Sequence, residues 1–280
     1  MVKISDAVSS SYNILKNNVS NPRLEAELIV SHVLQKDRIY ITIHKDDLIS
    51  CEDAEKISRD SSLRAEGMPF AYITGKKEFM SLEFYVDSNV LIPRPETEEL
   101  VSLIADMFKG QNIKLLDLCT GSGAIAISCA KYLPGSICHG VDISKEAVKI
   151  AKHNAKMLDA EDKTDFWEYD VLSSGWNYGT YDVVVSNPPY IEKNVIDTLD
   201  KTVKAYEPRI ALDGGDDGLI FYRKIIEDTE KYLKKNGMIF FETGYNQGGN
   251  LKSLMNDKFC SVRIIKDYSG NDRIACGILK

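Results

Sequence analysis

The sequence has no excess of positive charge, no long apolar run and no paired cysteines. Its formal net charge is -7 over 280 residues. That balance argues against broad, sequence-independent phosphate binding, which needs clustered Lys and Arg. No apolar run is long enough to cross a bilayer, and Met1 to Asn18 lacks the apolar core of a signal peptide. A cytoplasmic location is therefore expected. The six cysteines (Cys51, Cys119, Cys129, Cys138, Cys260 and Cys276) form no C-x-x-C pair. They read as free buried thiols, and no zinc or other metal is expected. There is no internal repeat and no low-complexity tract. What is present is an ordinary globular composition, 44% hydrophobic and 28% charged.

The most informative stretch is Tyr181-Asp182-Val183-Val184-Val185-Ser186-Asn187-Pro188-Pro189-Tyr190. Its first half is a β-branched run without helical period and reads as a buried central strand. Its second half cannot continue that strand, because two prolines lack N–H donors and the first keeps Asn187 out of the α region. An amide, two unclaimed carbonyls and an aromatic ring thus stand at a strand's carboxyl end, where open α/β sheets bind ligands. The Asn187 oxygen and the Pro188 carbonyl together match an –NH2 on a planar carbon, and Tyr190 offers a face to stack on it. The plain alternative is a rigid strand-exit turn with a packed tyrosine.

Residues 1–75 read as a separate helical bundle. Ala7, Ile14 and Leu15 give one apolar stripe; Leu24, Leu28, Ile29, Val33 and Leu34 give a second, with Asn21 as N-cap and Pro22 behind it. A third helix spans Glu52 to Glu66 and is closed by Gly67 and Pro69. Nine Lys/Arg stand against eleven Asp/Glu here, so the segment is no basic nucleic-acid arm. It is either a partner-recognition domain or an inert stabilising extension. Residues 76–95 read as a hairpin or linker, with Phe79, Leu82, Phe84, Tyr85 and Val86 between Gly75 and Asn89. Leu91-Ile92-Pro93-Arg94-Pro95-Glu96-Thr97-Glu98 then opens a helix to about Phe108.

Residues 96–280 carry the α/β pattern. Strands are expected at Ile113–Leu118, Ile137–Val141, Asp165–Tyr169, 181–186, Met238–Glu242, Ser261–Lys266 and Arg273–Leu279, with a helix Leu219–Lys234 before the fifth. The turn Ser269-Gly270-Asn271-Asp272 makes the last strand antiparallel to its partner. After the first strand comes Asp117-Leu118-Cys119-Thr120-Gly121-Ser122-Gly123, a glycine turn into a helix, where backbone N–H groups can approach a ligand. Asp142, 19 residues after Gly123, ends the second strand where a carboxylate reaches ribose hydroxyls; its alternative is a helix N-cap, for which Ser144 also serves. Asp170 and the Val171 amide, after the third strand, can read an adenine edge, although a surface Asp looks the same.

A glycine turn with an acidic second-strand end suits a dinucleotide or S-adenosylmethionine. The dinucleotide needs G-x-G-x-x-G, and here Gly123 is followed by Ala124, Ile125 and Ala126. The amide-holding corner calls for group transfer, not hydride transfer. Methyl transfer to an –NH2 satisfies both.

The chain resembles the HemK/PrmC-type peptide chain release factor glutamine N5-methyltransferases. The resemblance rests on the Leu91–Glu98 block, Asp117 to Gly123, Val141-Asp142-Ile143-Ser144, Asn187-Pro188-Pro189-Tyr190, Glu207-Pro208-Arg209 with Ala211-Leu212 and Gly214-Gly215, and Asp272-Arg273, in that order. The Asn-Pro-Pro-Tyr motif alone is shared with adenine-N6 nucleic-acid methyltransferases; the first and fifth blocks are more particular. Cys119 departs from a common glycine. The resemblance implies a seven-stranded Rossmann-like methyltransferase sheet with the last strand antiparallel, plus an N-terminal helical substrate-recognition domain. It implies S-adenosylmethionine as cofactor, with Cys119, Thr120, Gly121, Ser122 and Gly123 about its methionine part, Asp142 on the ribose, and Asp170 with Val171 on the adenine. Asn187, Pro188, Pro189 and Tyr190 would hold the glutamine of a Gly-Gly-Gln tripeptide on a bacterial release factor, with no metal, membrane or nucleic acid required. The other readings are an adenine-N6 nucleic-acid methyltransferase and a non-catalytic S-adenosylmethionine-binding module.

Overall fold

The computed structural model describes all 280 residues. They fall into two units, Met1–Gly75 with Asp200–Tyr206, and Lys76–Leu199 with Glu207–Lys280. Residues 76–95, set apart above as a linker, group with the second unit.

The first unit contains β1 (Val2–Lys3), α1 (Ile4–Leu15), α2 (Pro22–Leu34), α3 (Arg38–Ile43), β2 (Leu48–Ile49), α4 (Cys51–Ala65) and α5 (Phe70–Thr74). Pro22 sits in the first turn of α2 with Asn21 at the cap position, but the Asn21 side chain makes no capping bond. Ser50 does cap α4, accepting the Asp53 N–H at 3.0 Å. The core joins Ala7, Val8 and Leu15 of α1 to Ala26, Ile29, Val30 and Val33 of α2 and Ile57 of α4. Leu24, expected in the α2 stripe, is instead 39% exposed. The buried face follows 26, 29, 30 and 33, the i, i+3, i+4, i+7 spacing, and position 24 lies off it. The short helices α3 and α5 were not apparent from apolar spacing.

The second unit opens with a hairpin, β3 (Lys76–Phe79) and β4 (Leu82–Tyr85). Met80 and Ser81 at its tip both have positive φ, 51° and 56°, as a two-residue hairpin turn requires. After α6 (Pro95–Met107) the chain alternates: β5 (Lys114–Leu118), α7 (Ala124–Tyr132), β6 (Ile137–Asp142), α8 (Lys145–Met157), β7 (Thr164–Glu168) and β8 (Tyr181–Ser186). Two short helices follow, α9 (Lys193–Ile196) and α10 (Lys201–Tyr206), the latter part of the first unit. Then come α11 (Ile220–Glu227), α12 (Thr229–Tyr232), β9 (Leu233–Glu242), α13 (Gly248–Met255), β10 (Phe259–Lys266) and β11 (Asp272–Leu279).

The seven strands β5 to β11 form one sheet in the order β10-β11-β9-β8-β5-β6-β7. All neighbours are parallel except β11, which is antiparallel to both β9 and β10. The order reverses between β5 and β8, so the crevice of such a sheet lies at their carboxyl ends. Alternation along the strands divides the core. Leu115, Val183, Val185 and Phe240 pack with α6, α7 and α8, whereas Leu116, Val184, Ile239 and Phe241 pack with α11, α12 and α13.

Three sequence expectations differ in the structure. Cys51 and Cys260 are exposed rather than buried. The single helix expected over Leu219–Lys234 is two, broken at Asp228. The strand expected from Met238 already begins at Leu233. Its pairing with β8 jumps from Tyr181↔Leu233 to Val183↔Met238, an irregular bulged stretch in which Asn236 takes a left-handed φ of 63°. A polar run, Lys234-Lys235-Asn236-Gly237, hid this strand start from its apolar pattern.

Candidate active site

The loops after β5, β6, β7 and β8 open onto one cleft. Nine of the expected site residues line it: Cys119, Thr120, Gly121, Ser122, Asp142, Asp170, Val171, Asn187 and Pro189. Gly123, Pro188 and Tyr190 do not line it. Leu91, Pro93, Arg94 and Thr97 also border it, which gives the proline-rich block a place in the site.

The loop after β5 is held from below and from the side. The Thr120 N–H donates to the Val141 carbonyl at 2.9 Å, and its hydroxyl donates to the buried Asp117 carboxylate at 2.6 Å. Burial pushes the Asp117 carboxyl up to about 7, against the pull of that hydroxyl. Gly123 caps α7 with φ 80°, and a Cβ there would lie 2.9 Å from Ile127 and 3.2 Å from Phe166. It serves packing beneath the cleft. At Gly121, φ 54°, a Cβ would meet no protein atom within 4 Å, so that glycine leaves open space. Cys119 adopts the left-handed region at φ 63°. Burial holds its thiol well above its ordinary range.

Asp142 links two loops. One oxygen accepts the Gly121 N–H and the other the Ser144 N–H, each at 2.9 Å. Ser144, not Asp142, caps α8 by accepting the Ala147 N–H at 3.2 Å. Burial raises the Asp142 carboxyl, and the Ser144, Gly121 and Ile143 amides oppose the rise. The carboxylate keeps acceptor capacity for a ligand hydroxyl. Asp170 accepts the Leu172 N–H at 2.8 Å in a tight turn.

The Asn-Pro-Pro-Tyr corner is clamped by residues far along the chain. The Tyr190 carbonyl accepts Gln247 Nε2 at 2.9 Å, and Ile191 and Asp213 bridge to each other. A Cβ at Gly214 would lie 2.7 Å from Tyr190 Cα. The glycine turn after β8 therefore exists to let two backbones touch. The Tyr190 ring packs on the α11–α13 side of the core, and burial, with the charge of Glu242, raises its hydroxyl above the ordinary range. No backbone N–H of the protein bonds the Pro188 carbonyl. Asn187 Nδ2 donates to Thr97 Oγ1 at 3.4 Å, and Thr97 donates to buried Glu242 at 2.6 Å.

Thr97, Glu242, Glu207 and Asn154 were not singled out from sequence as site residues. Glu242 ends β9 and reaches Thr97. Glu207 is buried and accepts Arg94 at 2.6 Å and the Ile92 N–H at 3.4 Å, anchoring the proline-rich block. Asn154, fully buried on α8, bonds both backbone groups of Tyr85 and the Ser122 carbonyl. A buried polar residue on an apolar helical face is the only sequence signal Asn154 gives.

Comparison with known proteins fits this geometry. Residues 6–75 match the family described as the PrmC N-terminal domain, and residues 97–206 the methyltransferase small domain. A release factor glutamine methyltransferase of Clostridium acetobutylicum is 38% identical over 99% of both chains. One from Fusobacterium nucleatum is 39% identical over 92% of this chain and 74% of its own. Among solved structures, a methyltransferase from Pyrococcus furiosus superposes with a TM-score of 0.53 at 18% identity, covering 73% of this chain and 91% of that one; that likeness speaks for the fold alone. With relatives of this identity along its whole length, the chain belongs to the release factor glutamine methyltransferase family.

Proposed function

We propose that this enzyme transfers a methyl group from S-adenosylmethionine to the side-chain amide nitrogen of the glutamine in the Gly-Gly-Gln motif of a bacterial release factor. The observation that carries this reading is that the glycine loop, Asp142 and Asn187 open onto one cleft. Residues 1–75 would recognise the protein substrate, and the reaction would take place in the cytoplasm, where release factors act.

The residues present fit the cofactor. Gly121 leaves open space where a side chain would intrude, and its N–H is taken by Asp142. A pyrophosphate would need that N–H, so a dinucleotide fits poorly. The acidic Asp142 and Asp170 suit a cationic, phosphate-free ligand. When bound, S-adenosylmethionine supplies a methyl carbon made electrophilic by its sulfonium. Thr120, Gly121 and Ser122 would border its methionine part, Asp142 would accept ribose hydroxyls, and Asp170 with the Val171 N–H would meet the adenine.

Asn187 and Pro188 would do the chemical positioning. An amide nitrogen is a weak nucleophile because its lone pair is delocalised into the carbonyl. Asn187 Oδ1 in the cleft wall and the Pro188 carbonyl, which lies between the cleft-lining Asn187 and Pro189 and takes no backbone N–H, would fix both N–H bonds and turn the nitrogen toward the methyl carbon. The amide nitrogen lone pair would make the new N–C bond, and the sulfur would keep the C–S electron pair as leaving group. Positive charge grows on nitrogen, where both acceptors stabilise it. The extra proton would leave to solvent afterwards, so no strong base is needed.

The test is incubation with labelled S-adenosylmethionine and, separately, a release factor, DNA or RNA. Label on the release factor alone is expected. Label on nucleic acid alone would support an adenine-N6 enzyme instead, and binding without any transfer would leave a cofactor-binding module.

A further inference from the structure

We propose that Thr97 and Glu242 are a positioning pair that holds the Asn187 amide with its oxygen, not its nitrogen, turned to the substrate. This rests on the reading of Asn187 as an acceptor for the substrate amide.

A primary amide offers a donor end and an acceptor end of nearly equal shape. Asn187 therefore works only if something selects one of two orientations. Its neighbour does so. The Thr97 hydroxyl has a single proton, which it donates to Glu242 Oε2 at 2.6 Å, the length of a charge-assisted O–H···O⁻ bond. With that proton committed, Thr97 can only accept, and Asn187 Nδ2 faces it at 3.4 Å. Turned over, the Asn187 oxygen would meet an oxygen with no proton to offer. Thr97 and Glu242 are 4% and 1% exposed, so water does not substitute for either.

The elements explain the placement. Glu242 shares the sheet face of Phe240, against which α6 packs. Thr97 lies in the first turn of α6, fixed by the Arg94–Glu207 pair before it. The charged and titratable groups around Glu242 are Arg273 of β11, Arg94 and Glu96 at the start of α6, Tyr190 after β8 and Tyr222 of α11. Burial pushes the Glu242 carboxyl up to about 7, opposed by the Thr97 hydroxyl and Arg273. Once protonated, Glu242 donates to Thr97, whose proton then turns toward Asn187 and favours the reversed amide. Turnover should thus fall as pH drops through about 7.

The experiment compares the full-length enzyme with Thr97→Val, Thr97→Ser, Glu242→Gln and Asn187→Ala on a release factor. Turnover is measured from pH 6 to 9, together with S-adenosylmethionine affinity. Thr97→Val should lose roughly 10–100-fold in kcat, the scale of a misplaced reactant, with cofactor affinity and folded content unchanged. Thr97→Ser should restore turnover. Glu242→Gln, nearly isosteric, should lose the acid limb of the pH profile. An unchanged kcat in Thr97→Val, or a wild-type acid limb in Glu242→Gln, overturns the proposal. Near-normal turnover by Asn187→Ala overturns the underlying reading instead, so the two failures are distinguishable.

Discussion

The carboxylate of Asp142 accepts the backbone N–H of Gly121 at 2.9 Å, joining the end of β6 to the loop after β5. One residue therefore shapes the loop and lines the cleft. Removing it should do more than delete the proposed contact to ribose.

Asp142→Ala should weaken S-adenosylmethionine binding at least tenfold to a hundredfold. Each charge-assisted bond is worth about 1.5–3 kcal/mol, and about 1.4 kcal/mol is a factor of ten. Ser144 still caps α8, so the fold should survive. Calorimetric titration decides: unchanged affinity would make Asp142 a purely structural tie.

Asp117 gives a pH-dependent stability. Its carboxyl is raised to about 7 by burial, with the Thr120 hydroxyl opposing. Unfolded, it titrates near 3.8. Between these values the folded chain holds a proton that the unfolded chain has lost, so stability falls as pH rises through the window. Asp117→Asn removes this dependence. Urea unfolding at about pH 5 and about pH 8 should show the variant gaining on the parent by a few kcal/mol at the higher pH. A constant difference would mean that Asp117 is ionised throughout.

Gly214→Ala tests the clamp on the corner. The added Cβ would lie 2.7 Å from Tyr190 Cα, and backbone cannot rotate away. Overpacking of this kind costs about 1–3 kcal/mol. Turnover should fall at least tenfold, about the effect of a small misplacement of the reacting groups, while cofactor affinity changes little. Equal losses in both would show that the damage spreads beyond the corner.

Much of this site is written locally. Pro188 and Pro189 end β8 wherever it packs, and Gly121 and Gly123 mark their turn because positive φ excludes most side chains. Local chemistry reveals such features. Asn187 held by Thr97 and Glu242 is different: the bonds join residues 90 and 145 apart. Neither a threonine in a helix start nor a glutamate at a strand end announces its partner. The same holds for Asn154 and Ser122, and for Gly214 against Tyr190. The bulge at Asn236 stayed hidden for another reason, since polar residues mask a strand whose pairing, not pattern, defines it.

Deleting residues 1–75 should leave cofactor binding but greatly reduce methylation of an intact release factor. The cleft-lining residues all lie between Asn89 and Phe221 in the second unit. Residues 200–206, which group with the deleted segment, would lose their packing. The truncated chain should be checked for cooperative unfolding first. Full-rate methylation by a folded truncation would make the helical unit a stabilising extension.

The sharpest prediction concerns the acceptor. On the proposed reading, with the Asn187 oxygen and the Pro188 carbonyl both accepting, glutamine would satisfy the corner. Glutamate has the same shape, no N–H donors and a negative charge. A site built around a substrate N–H rejects an analogue lacking it by about 10⁴–10⁵-fold, so a release factor with Glu in place of the acceptor Gln should not be methylated. Asn187→Ala should cut turnover on Gln far more than it weakens the cofactor, because the lost bonds align the nucleophile. Asn187→Asp separates charge from alignment. It keeps an acceptor but brings a carboxylate beside Thr97, whose proton already serves Glu242. The added charge should tighten the cationic cofactor while misplacing the amide, so affinity and turnover should move in opposite directions. Parallel measurement of both quantities on Gln and Glu substrates is the check. Were affinity and turnover to fall together in Asn187→Asp, the corner would be a cofactor contact and not the seat of the acceptor amide.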